Sequence, residues 1–209
     1  MSRNGSGTFT LPSGSFKPAV SGATPSSSDW NSLTSDLETA MSASIANDGQ
    51  TTCTASIPFA AGATVKGVTT NSSASAGYIG EQIRSNVPNG SAVSLTDNTE
   101  ADVTTISLTA GDWDVSAAVW FTGNSSTTAT YLNGAISATS ATLPAVGDVN
   151  QNSQAYSGFA LFANVAVSLP MGPFRVSLAG TTTYYLVARA KFAVSTCSAF
   201  GTIRARRIR

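Results

Sequence analysis

Trp113-Asp114-Val115-Ser116-Ala117-Ala118-Val119-Trp120-Phe121-Thr122, residues 113–122, decides the fold class. Successive side chains of a strand point to opposite faces, so Trp113, Val115, Ala117, Val119 and Phe121 share one face. Asp114 and Ser116 occupy the other face until Ala118 and Trp120 turn it apolar. The first half therefore reads as a strand buried on one side, and the second half as one apolar on both sides, running from solvent into an interface or a deep core. Tyr184-Tyr185-Leu186-Val187-Ala188 changes character in the same way.

Working outward, short runs of strand character recur between Gly, Pro and Asn breakers: Tyr78–Ser85, Ala92–Leu95, Val103–Leu108, Ala129–Ser137, Phe159–Val167, Phe174–Leu178, Thr183–Val194 and Ala199–Ile208. With Trp113–Thr122 they make nine candidates and carry no helical periodicity. The expected fold class is mainly β, with a jelly-roll-like β-sandwich over residues 77–209.

Residues 1–76 have a different grammar. Trp30, Leu33, Leu37, Met41 and Ile45 follow one another at spacings of three and four, the apolar stripe of an α-helix. Ser28 or Asp29 would cap its start, and Asn47-Asp48-Gly49 would stop it. The stripe needs a partner. Packing against the β domain of the same chain and self-association with other copies both satisfy it; the 3-4-3 series Trp30, Leu33, Leu37, Ala40 favours self-association. Before the helix, residues 1–27 are rich in Gly, Ser and Pro with isolated Phe9, Leu11, Phe16 and Val20. Such a segment builds no core of its own: either it is a disordered arm, or it lies extended with its spaced apolar residues in grooves of another protein, and the regular sprinkling favours the latter. Residues 50–76 read as a linker.

Composition narrows the function. The 209 residues carry 11 basic and 11 acidic side chains, so no global field draws the chain to nucleic acid or to an anionic membrane. No apolar run approaches the ~18 residues of a membrane-spanning helix. The start lacks a secretory h-region, so synthesis and folding in a cytoplasm are expected. Cys53 and Cys197 have neither metal-ligand nor redox spacing and read as unpaired thiols.

There is no histidine, which removes Ser-His-Asp and Cys-His nucleophile systems and the commonest transition-metal ligand. Carboxylates remain: Asp112 with Asp114, and Glu100 with Asp102, each two apart on a strand and so on one face, as a glycosidase pair would need. The bland alternative, acids of turns and solvent-facing strand ends, outweighs it. Asp97, Glu100 and Asp102 lack the spacing and the glycine of a calcium loop. The ending Ile203-Arg204-Ala205-Arg206-Arg207-Ile208-Arg209 has no interleaved aromatics, so it reads as a charged edge strand, or as one that pairs with acids of a neighbouring subunit, rather than as a nucleic-acid surface. No catalytic residue, metal or cofactor is expected.

The opening MSRNGSGT, the helix that starts at Trp30, the Asp48-Gly49-Gln50-Thr51-Thr52 exit and the Ile57-Pro58-Phe59 segment ending in Lys66-Gly67-Val68 together resemble the N-terminal module of tail-fibre and other virion-appendage proteins of tailed bacteriophages and prophages. Farther on, Gly77-Tyr78-Ile79-Gly80-Glu81, Ser107 to Val115, Tyr184-Tyr185-Leu186 and Ala205-Arg206-Arg207-Ile208 look like a β domain of phage fibre-like proteins, often a trimeric jelly roll resembling tumour-necrosis-factor-type folds. The resemblance implies a non-enzymatic virion protein assembled in the bacterial cytoplasm, most simply a short tail fibre. Residues 1–76, through Phe9, Leu11, Phe16 and Val20, would dock on other virion proteins, a tail adaptor or nozzle or the capsid. Residues 77–209 would form a homotrimer, with Trp113, Val115, Val119, Phe121, Tyr185 and Val187 in the core or the trimer interface, and could meet a host surface glycan or protein. A capsid decoration or head-fibre protein uses the same parts. A receptor-binding lectin would use loops such as Gly123–Thr128 or Pro144–Gln154, and a carbohydrate-active enzyme would use the acid pairs.

Overall fold

Alternation at Trp113–Phe121 becomes a 13-residue strand at the middle of a two-sheet sandwich. The computed structural model describes residues 26–42, 69–70, 72–148, 150–161 and 165–209. The chain divides into two units, Met1–Gly67 and Val68–Arg209.

Within the first unit, α1 spans Ser27–Ser42. It begins two or three residues earlier than a Ser28 or Asp29 cap would require: the Trp30 N–H donates to the Ser26 carbonyl at 3.2 Å, which makes Ser26 the residue at the helix mouth. Trp30 and Leu37 are exposed and Leu33 is half-buried. Met41 lies on the helix; Ile45, the expected stop at residues 47–49 and the arm residues Phe9, Leu11, Phe16 and Val20 lie outside the described residues.

The second unit holds β1 (Gln82–Val87), a 3₁₀ turn (Asn89–Ser91), β2 (Val93–Leu95), β3 (Ala101–Leu108), β4 (Gly111–Gly123), β5 (Thr127–Ser137), β6 (Gln151–Leu161), β7 (Val167–Leu178), β8 (Thr182–Ala193) and β9 (Cys197–Arg207). One sheet is ordered β1-β9-β4-β7, with β2 also on β9; the other is β3-β8-β5-β6. All the pairings are antiparallel. From β3 onward the chain changes sheet at every connection except β5 to β6, the winding of a jelly roll.

The inward faces meet in one core: Trp113, Val115, Val119 and Phe121 of β4 against Leu132 and Ile136 of β5 and Leu186 of β8, all with no exposed surface. Each such side chain is worth about 1.5–3 kcal/mol of burial. At Gly134 of β5 a Cβ would collide with Val119 Cγ1 of the facing sheet. Trp113 keeps its one polar atom satisfied by donating Nε1–H to the Thr109 carbonyl at 2.9 Å.

Four expectations shift. Tyr78–Gly80 forms turns before β1 rather than part of it; Gly77 and Gly80 both have positive φ, which ends extended backbone there. β6 begins at Gln151, in residues read as loop, because its polar side chains sit on a sheet edge with one face open to solvent. β7 runs through Pro170 and Pro173, read as a turn, because it pairs only with β4 and an edge strand tolerates the missing N–H. β9, read as an edge strand, lies inside its sheet between β1 and β4: Ile203 and Ala205 point inward, Arg204 and Arg206 point outward, and Arg207 is buried.

Candidate binding site

A polar cluster lies on the outer face of the second sheet. Strand register brings it together: Asn133 of β5 stands opposite Arg189 of β8 and Ser153 of β6, and Ala135 stands opposite Gln151 and Val187. Tyr131 and Asn133 are two apart and share this face. The Asn133 amide donates Nδ2–H to the Tyr131 hydroxyl at 2.8 Å, and that hydroxyl lies 3.2 Å from Ser153 Oγ. The Arg189 guanidinium sits 5.3 Å from the Tyr131 ring centre and bonds Glu100 at 2.8 Å. Burial opposes ionisation of Tyr131, but Ser153, Asn133 and the Arg189 charge outweigh it and hold the phenol below its usual range.

The connection from β5 to β6 covers part of this face. Asp102 of β3 pins one end, accepting from Ser140 Oγ and from the Ala141 N–H at 2.8 Å. Asn150 pins the other, donating Nδ2–H to the Ile136 carbonyl at 2.6 Å. Between loop and sheet lies a cavity of about 470 Å³, bounded by residues 141–146 and by Glu100, Gln151 and Arg189. Two of those walls carry buried polar atoms without a hydrogen-bond partner in the protein, Gln151 Oε1 and Arg189 Nε; beside them, Asn133 Oδ1 is a third. Buried polar groups are normally paired, and each left unpaired costs about 1–3 kcal/mol. All three atoms lie beneath this face with essentially no accessible surface.

Three of the four acids paired from sequence are otherwise engaged. Glu100 is held by Arg189, and Asp102 anchors the loop. Asp112 is bonded by Arg175 at 2.7 Å and by Arg209, and hydrogen bonding from Ser177, then Arg175, holds its carboxyl down at about 2. A carboxylate held ionised in this way makes a poor proton donor. Asp114 is exposed. Among the described residues no cluster of three or more His, Cys, Asp or Glu could hold a metal ion, and no helix is long and apolar enough to cross a membrane.

The six residues proposed for core or trimer contact separate. Trp113, Val115, Val119, Phe121 and Val187 have no exposed surface and can touch no second subunit, whereas Tyr185 is half-buried. Val187 is buried although it points outward on β8, on the same face as Arg189. The C-terminal basic run also divides. Arg204 and Arg206 are exposed, Arg209 reaches Asp112, and Arg207 pairs with Glu81 at 2.9 Å with its guanidinium 4.2 Å above the Trp113 ring.

Tyr131, Asn133, Gln151 and Arg189 were not singled out by the sequence patterns above. Asn133 and Arg189 did leave a trace: each interrupts an otherwise apolar strand, in Leu132-Asn133-Gly134-Ala135-Ile136 and Val187-Ala188-Arg189-Ala190. A polar residue inside such a run is the informative departure.

No protein-family model matches the chain, and no curated protein does. Among solved structures, a chain in the structure of infectious bursal disease virus Gx strain matches with a TM-score of 0.33 and 13% identity, over 61% of this chain and 29% of that one. This chain thus spans less than a third of that neighbour's length, and at that TM-score the likeness carries no argument about fold or function.

Proposed function

We propose that this chain is a structural virion protein of a tailed bacteriophage, a short tail fibre whose N-terminal segment docks on the particle and whose β-sandwich is displayed as a homotrimer. The observation that carries the reading is α1: it exposes Trp30 and Leu37 on one apolar stripe, the pattern of an element that buries its face in an assembly. The resemblance of residues 1–76 to virion-appendage modules supports the same role. The work of such a protein is association: burial at about 25 cal/mol per Å² of apolar surface holds the subunits, and three weak sites displayed together gain by avidity.

Purified particles test the reading. Quantitative mass spectrometry should find the chain in a few tens of copies, and a Trp30→Ala/Leu37→Ala variant should fold yet fail to incorporate. Normal incorporation of that variant refutes the docking role. Hundreds of copies per particle would place the protein on the head, as a decoration or head-fibre protein.

A further inference from the structure

We infer that the outer face of the first sheet is a binding surface for an acidic polysaccharide, with Arg84, Arg204 and Arg206 holding its carboxylates and the Trp120 and Phe200 rings carrying its sugars. The inference rests on the host-attachment part of the function proposed above and names the ligand class.

The chain as a whole is neutral, but strand register concentrates cations on this face. Arg84 of β1 stands directly opposite Arg204 of β9, and Arg206, two residues on, shares their side of the sheet. Like charges directly opposite destabilise an antiparallel pair, so folding alone does not account for the arrangement. All three arginines are exposed, and among the described residues none of them forms an ion pair. The acids on this face are few: Asp112 is taken by Arg175 and Arg209, which leaves Asp114, opposite Arg206, against three guanidinium groups. An anionic partner meets the surplus.

The same face carries a pair of aromatic rings. Trp120 of β4 stands opposite Phe200 of β9, both half-buried, with ring centres 5.8 Å apart and planes 12° from parallel. The electron-rich face of such a ring takes the polarised C–H bonds of a pyranose. The spacing is close to that of adjoining sugars in an extended chain, and it is too narrow to admit a nucleobase between the rings, which needs two stacking distances of about 3.4 Å. Along the outward side of β9, Phe200 is followed by Thr202, Arg204 and Arg206, so the arginines lie about 14 Å and about 20 Å from the rings at the rise of a strand. Thr202 and its opposite residue Ala118 are small, and a polymer can lie flat between the two ends. Arg204 is steadied by donating Nε–H to Ser116 Oγ at 3.0 Å. The planar guanidinium fork matches a carboxylate with two parallel hydrogen bonds, which suits uronic and sialic acids. Each exposed contact is weak, and three faces per assembly raise the avidity for a repeating chain.

Biolayer interferometry on the full-length protein at about 0.15 M salt tests this, with alginate and polysialic acid as acidic polysaccharides, dextran as an uncharged one and an oligothymidylate as a nucleic acid. At least one acidic polysaccharide should bind, and more tightly than dextran or the oligothymidylate. Arg84→Gln should weaken it about tenfold while the thermal midpoint is kept or raised, because the like-charged pair is relieved. Trp120→Thr keeps a strand-forming residue and every charge, and should weaken binding as well. No binding of either acidic polysaccharide overturns the inference, as does binding that survives both variants, equal binding of dextran, or tighter binding of the oligothymidylate. A folded Trp120→Thr protein whose solution mass falls from three chains to one shows the face to be a subunit contact and overturns it too. The two failures are separable: a chain found in particles that binds neither acidic polysaccharide refutes the surface and leaves the virion role, and a chain that binds but is absent from particles does the reverse.

Discussion

Removing the guanidinium of Arg207 should cost the β unit about 3 kcal/mol. This side chain closes one end of the sandwich. Its Nε donates to Glu81 Oε2 at 2.9 Å, Nη1 to the Ala110 carbonyl at 2.7 Å and Nη2 to Thr109 Oγ1 at 2.5 Å, while the plane lies 4.2 Å above the Trp113 ring centre. Arg207→Ala strips partners from all of these and leaves Glu81 with the Gly77 N–H alone, at 2.8 Å. Breaking a buried pair on one side costs about 3–5 kcal/mol, and the lower end applies where relaxation at the end of the sandwich lets water reach the carboxylate. The thermal midpoint should fall by about 10 °C. The pH dependence identifies the cause. In the wild type burial pushes the Glu81 carboxyl up, but the Gly77 N–H and the Arg207 hydrogen bond and charge outweigh it, so the group sits below its usual range. Its contribution is present above the unfolded carboxyl value and fades as pH falls through the folded one. Without Arg207 burial dominates, the carboxyl rises above its unfolded value, and the variant's deficit should shrink on acidification as Glu81 takes up a proton. Adding Glu81→Gln to Arg207→Ala should therefore recover stability at neutral pH, although Glu81→Gln alone costs some. Chemical denaturation of the four proteins completes the cycle. An Arg207→Ala protein melting within a degree or two of wild type, or Glu81→Gln adding its full single cost on top, refutes the reasoning.

Three further outcomes follow from the same packing. Gly134→Ala drives a Cβ into Val119 Cγ1 and towards Met171 Cε at 3.3 Å, so the sheets must part at a cost of about 1–3 kcal/mol, read as a lower urea midpoint; an unchanged midpoint contradicts the close approach. Asp112, held at about 2 by Ser177, Arg175 and Arg209, contributes stability above the unfolded carboxyl value near 4 that is lost as pH falls from there towards 2; an acid titration followed by circular dichroism should show this limb, and Asp112→Asn should flatten it. Burial in the core pushes the Cys197 thiol up to about 12, so the native protein should leave Cys197 unlabelled by a thiol reagent at pH 8, and stability should decline as pH rises above the unfolded thiol value near 9 because only the unfolded chain ionises; ready labelling without unfolding would show that the strand start at Cys197 opens.

The sandwich was legible because the strongest local signal, alternation at Trp113–Phe121, belongs to a strand with one face wholly in the core. Where a strand lies at a sheet edge the signal weakens. The polar start of β6 read as loop, and Pro170 and Pro173 hid β7, since edge position, which makes prolines tolerable, is a property of the whole sheet. The opposite error occurred at β9: its arginines read as edge protection, yet Arg204 and Arg206 simply face solvent and Arg207 is neutralised by Glu81, 126 residues away in the chain. The cavity was invisible for a related reason. Glu100, Gln151 and Arg189 come from three places and meet only through the β3–β8–β5–β6 register, and no spacing encodes that an amide oxygen there ends without a donor. The acid pairs were visible but uninformative, because a sequence shows two carboxylates and not the arginines that occupy Glu100 and Asp112.

Display of the β-sandwich as a homotrimer is the centre of the proposed function, and the mass of the purified protein in solution tests it most directly. Light scattering coupled to size exclusion at micromolar concentration should return three times the 21.2 kDa of the chain. A mass equal to one chain would contradict it.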